Sequence, residues 1–71
     1  MRTLNSNYTK NIDILKENLR RGMSNEQAQN AINAQENQFI NAGLYNEMEK
    51  NYINEMRGAM IEFFTHISIA L

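Results

Sequence analysis

The chain has no cysteine, no proline and no tryptophan, and it has only one histidine and three glycines. Without cysteine there is no disulfide, no thiolate zinc site and no thiol nucleophile. The lone histidine, His66, has Glu62 one helical turn before it. Two ligands on one face are too few for a metal, so no metal and no cofactor are expected. The glycines at 22, 43 and 58 are too far apart to form a phosphate-binding loop. No serine sits in a Gly-x-Ser-x-Gly turn. Glu47 and Glu49, two apart, do not face each other on a helix. Nothing here assembles a catalytic constellation, and an enzyme is not expected.

Charge of one sign is also missing. Seven Lys and Arg against eight Asp and Glu leave a net charge of −1. The basic residues are spread along the chain and make no stripe, so nucleic acid is not an expected partner. The opening residues, MRTLNSNYTKN, carry no apolar run of the signal-peptide kind. The apolar C-terminal run is interrupted by Glu62 and His66 and falls short of the about 20 residues that a bilayer span requires. The expected setting is the cytoplasm of the producing or host cell, with membrane association disfavoured.

What the chain does have is helical periodicity and asparagine. Its 71 residues make one domain, 1–71. A domain this small buries only about 60% of the surface its unfolded chain exposes, and with disulfides and metals excluded, oligomerisation is the expected support. Hydrophobic content of 42% without proline points to an ordered helical chain. The fold expected is all-α: a helical hairpin plus a long C-terminal helix, near 7–21, 25–42 and 44–70, completed by dimerisation.

In the first segment Leu4, Tyr8, Ile12, Leu15 and Leu19 share one face, and Gly22 ends it. Arg20 and Arg21 favour the negative end of the helix dipole or would anchor an acidic partner. Ser24 and Gln27 form a capping box for the second helix, with Met23 stapled on Ala28. The apolar face of that helix, Ala28, Ala31, Ile32, Gln35, Phe39 and Ala42, is thin and suits the close approach of another helix. Asn30, Asn33, Asn37 and Asn41 line the other side. The run Met-Ser-x-x-Gln-Ala from Met23 to Ala28 is similar to the turn of the NblA family, small two-helix phycobilisome-degradation proteins. The likeness covers six residues that a capping box also dictates. The rest of the chain does not follow that family, and no function is carried over from it.

The third segment organises the rest. Tyr45, Met48, Tyr52, Met56, Ala59, Phe63, Ile67 and Ala70 form one stripe, with Asn46 and Glu49 as a second capping box. From Met60 onward, Ile61, Phe64, Ile69 and Leu71 add apolar surface off that stripe. One of these faces is expected to pack on the first two helices and the other on a second chain. Ile53, Met60, Phe63, Phe64, Ile67 and Leu71 are the expected interface with a twin or a target. Mid-helix Gly58 costs about 1 kcal/mol against alanine and marks either tolerance or a close helix crossing.

Twelve asparagines fit an AT-rich coding sequence, as in a phage, a mobile element or a low-GC bacterium. The expected function is a small non-enzymatic protein that binds a host or partner protein and inhibits or redirects it, as some phage early proteins do. The alternatives are a self-associating structural or assembly subunit, and a peripheral membrane protein using the apolar end of the last helix.

Overall fold

The computed structural model describes residues 6–70, and the side chains of 6–67. Its elements are three helices: α1 (Ser6–Arg20), α2 (Asn25–Ala42) and α3 (Glu47–Ala70). There is no strand among the described residues. Leu4 and Leu71 lie outside them.

Both turns are closed by the same backbone device. At the end of α1 the Met23 amide donates to the Asn18 carbonyl at 3.0 Å and the Gly22 amide to Leu19 at 3.2 Å. At the end of α2 the Leu44 amide donates to Phe39 at 2.9 Å and the Gly43 amide to Ile40 at 3.1 Å. This is the paired closure in which the residue past the helix turns left-handed. Gly22 and Gly43 take it with φ of 112° and 71°, where a side chain would be strained.

The closure also explains two shifted boundaries. Arg21 caps α1 rather than continuing it. Leu44 spends its amide on the end of α2, so α3 begins at Glu47 and not at 44. Asn46 precedes α3: its amide donates to Glu49 Oε1 at 3.2 Å and its carbonyl accepts from Lys50 at 2.9 Å.

The capping box at the start of α2 forms as its spacing requires. The Gln27 amide donates to Ser24 Oγ at 3.0 Å, and the Ser24 amide donates to Gln27 Oε1 at 2.9 Å. Ser24→Ala removes the first of these bonds and should destabilise the fold by about 1 kcal/mol. An unchanged urea midpoint would show that α2 does not depend on this cap.

Helix α3 lies in the trough between the other two. It packs extensively on both, whereas α1 and α2 touch each other only slightly. The buried core is Ile12, Leu15 and Leu19 from α1, Ala28, Ile32 and Phe39 from α2, and Tyr52, Ile53, Met56 and Met60 from α3. At about 100° per residue, the covered side of α3 spans roughly half the helix. The spacing shows a single stripe, but two flanking helices cover two adjoining ones.

Rings from all three helices meet near the start of α3. Tyr8 stacks on Tyr52 at 4.4 Å, and Phe39 stands edge-on to both, at 5.8 and 5.9 Å.

Charged groups tie the outer edges. Arg57 of α3 donates to Asn33 Oδ1 at 3.0 Å and to Glu36 Oε1 at 2.7 Å, and Tyr45 donates to Glu36 Oε2 at 2.6 Å. The Arg57 guanidinium, and then the Tyr45 hydroxyl, hold the Glu36 carboxyl below its ordinary value. A carboxyl depressed in the folded state stabilises the fold above its unfolded value. That contribution is lost as pH falls through the folded value. Glu36→Gln should therefore lower the melting temperature at neutral pH and flatten its fall on acidification. A parallel acid limb in both proteins would remove Glu36 from the account.

Gly58 faces outward in the middle of α3, and a methyl group built there meets nothing within 4 Å. No described element of this chain crosses closely at that point. Gly58→Ala should stabilise by about 1 kcal/mol, which for a domain this size raises the melting temperature by about 4–8 °C. A drop would reveal a constraint on Gly58 outside the fold of one chain.

Candidate protein-binding surface

Two of the six expected interface residues lie inside the chain's own core. Ile53 is 0% exposed and Met60 is buried, because α2 covers the side of α3 that a second chain was expected to cover. Phe63 and Phe64 both pack against that core and are half-buried. Their rings meet edge to face at 5.2 Å. Phe63 turns toward α1, beside Leu19. Phe64 lies two turns beyond Arg57, on the face that α2 covers. The two phenylalanines are accommodated in one three-helix core because α3 has a helix on each side. Ile67 is different, at 38% exposed. Leu71 lies outside the described residues.

The exposure of Ile67 has a geometric cause. On the helical projection it falls between Phe63 and Phe64, on the same side as buried Met56 and Met60. Helix α1 runs parallel to α3. Its first turn meets the start of α3, where Tyr8 donates to Glu49 at 2.7 Å, and its last turn meets Phe63 and His66. It ends at Arg20, and the chain re-enters at Asn25 to begin α2. The flanking helices therefore end before α3 does.

A cleft opens where they end. Lys16, Leu19 and Arg20 of α1 and Ala59, Glu62, Phe63 and His66 of α3 line about 300 Å³ of space. Leu19, Ala59 and Phe63 give it an apolar floor, and the four charged or ionisable side chains form its rim. The Glu17 carboxylate accepts from Arg20 at 2.9 Å and from Arg21 at 3.0 Å. Those two arginines hold it below its ordinary value. His66 Nε2 stands 3.8 Å from Glu62 Oε2, both well exposed. Periodicity assigned Leu19 to the core and left Lys16 unremarked. Only the parallel course of α1 and α3 brings them to Phe63 and His66.

A second opening lies between α1 and α2, with Tyr52 and Met56 of α3 as its floor. Its volume is about 290 Å³. Ile14, Met23 and Ala31 line it together with the amides of Asn11, Asn18 and Gln35. None of these side chains is charged. Ile14 lies off the stripe of α1 and is exposed.

Among the described residues no three His, Asp or Glu side chains come together as a metal ligand set. No helix among them is long and apolar enough to cross a membrane. The described residues form a small helical bundle in which these clefts open. Compared with protein families, curated proteins and solved structures, the chain matches none.

Proposed function

We propose that the chain is a small non-enzymatic protein-binding protein. Its partner would dock on the end of α3 beyond α1 and α2. The observation that carries this reading is Ile67, which lies on the buried side of α3 yet stays 38% exposed among the described residues. Small size and asparagine-rich composition support the further reading of a phage or mobile-element product that inhibits or redirects a host protein. Self-association is the second reading. In a two-fold dimer one patch covers itself, and Ile67 of each copy would lie at the seam.

The test is capture from a bacterial lysate by the tagged chain and by its Ile67→Asp variant, with the solution mass of each measured in parallel. A stoichiometric protein held by the wild type and lost by an equally helical variant is the expected result. The same proteins on both would overturn the assignment to this surface. A dimer that captures nothing, and that Ile67→Asp dissociates, would establish self-association instead.

A further inference from the structure

We infer that the cleft between the end of α1 and the end of α3 takes an acidic amphipathic segment of a partner protein. The inference rests on the protein-binding reading above and adds the chemistry of the partner. Two cations, Lys16 and Arg20, line the cleft against one carboxylate, Glu62. The lining thus carries one more cation than carboxylates, on a chain whose net charge is −1. Arg20 is already engaged by Glu17, and Glu62 stands beside His66. Lys16 lines the cleft and makes no ion pair among the described residues.

The apolar part sets the shape of the occupant. Leu19, Ala59 and Phe63 form a floor that continues along α3 to Ile67. A strip of that length suits a helix with apolar side chains one turn apart, the usual manner in which a helix lies in a groove. A carboxylate on the flank of that helix would meet Lys16. The neutral opening between α1 and α2 offers no such complement, so the charge distinguishes the two clefts.

The probe is a labelled peptide with leucines at helical spacing flanked by glutamates. It is titrated by fluorescence anisotropy against the full chain, beside a twin with glutamines and one with lysines. The acidic peptide should bind about fivefold more tightly than the glutamine twin, the upper range for one exposed ion pair. The margin should shrink in high salt. Lys16→Gln should remove most of it, whereas Lys10→Gln, exposed near the other end of α1, should not.

Equal binding of the three peptides, or equal effects of the two lysine substitutions, would overturn the inference. So would binding by none of them. Lys16-dependent binding to phosphatidylserine vesicles in place of the peptide would assign the cleft to a lipid surface. A dimer that fills its own cleft would equally displace the peptide from the account. If all three peptides bind alike but Ile67→Asp abolishes binding, the acidic partner is ruled out while the protein-binding reading stands.

Discussion

Tyr52→Ala should leave the chain largely unfolded at 37 °C. Tyr52 is 2% exposed and is the α3 member of the ring cluster that joins all three helices. Truncating a large buried aromatic to alanine costs about 3–5 kcal/mol. A domain of this length holds only about 4–10 kcal/mol in total. The stacked contact with Tyr8 and the edge contact with Phe39 are lost together, and the hole opens where α1, α2 and α3 converge. Loss of most far-UV helicity at 37 °C is the expected reading. A cooperative melt within a few degrees of wild type would mean that the ring cluster is not what joins the helices.

The legible part of this fold is local. Gly22, Ser24 and Gly43 act within five residues of themselves, and each forms the turn or cap that its neighbours imply. The α1 face of Ile12, Leu15 and Leu19 is likewise buried as its spacing predicts. The face of α2 is legible only in part. Ala28, Ile32 and Phe39 are buried, but Ala31 lines the open trough and Ala42 is exposed.

The illegible part is relational. Periodicity gives the angle of a side chain about its own helix but not the number of helices that surround it. Ile53 and Met60 lie off the main stripe of α3, and from sequence that offset reads as surface for another molecule. They are buried because α2 returns antiparallel along that side, with Arg57 bonded to Asn33 and Glu36 marking its course. The cleft has the same origin. Lys16 and His66 are 50 positions apart, and only the register of α1 beside α3 makes them neighbours.

Burial of Ile53 removes one reason for a dimer but not the whole of it. The case for a second chain no longer rests on two uncovered faces along α3. It rests on Ile67 and the apolar cleft at one end, a smaller surface. Standard interfaces bury about 800 Å² on each partner, so a docked chain would have to extend along the cleft and onto the flank of α1. An elongated segment meets that requirement more readily than contact at the tip of α3 alone.

Two aspartate substitutions on the same helix should then have opposite outcomes. Ile53→Asp places a carboxylate where nothing is exposed and no cation of the core can meet it. The core that receives it is entirely apolar apart from the Tyr52 hydroxyl, with no buried charged residue. An unpaired buried charge costs several kcal/mol, comparable to the whole stability of a domain this small. Ile53→Asp should give an unfolded chain at any protein concentration. Ile67→Asp loses only part of an apolar contact and places a negative charge near the negative end of the α3 dipole, at a cost of about 0.3–1 kcal/mol. It should remain fully helical, with a melting temperature lowered by a few degrees, and Ile67→Lys should sit closer to wild type. Thermal melts by circular dichroism at two concentrations a hundredfold apart check all three. A folded, monomeric Ile53→Asp would restore Ile53 to an interface between chains. An unfolded Ile67→Asp would place Ile67 in the core and withdraw it from any binding surface.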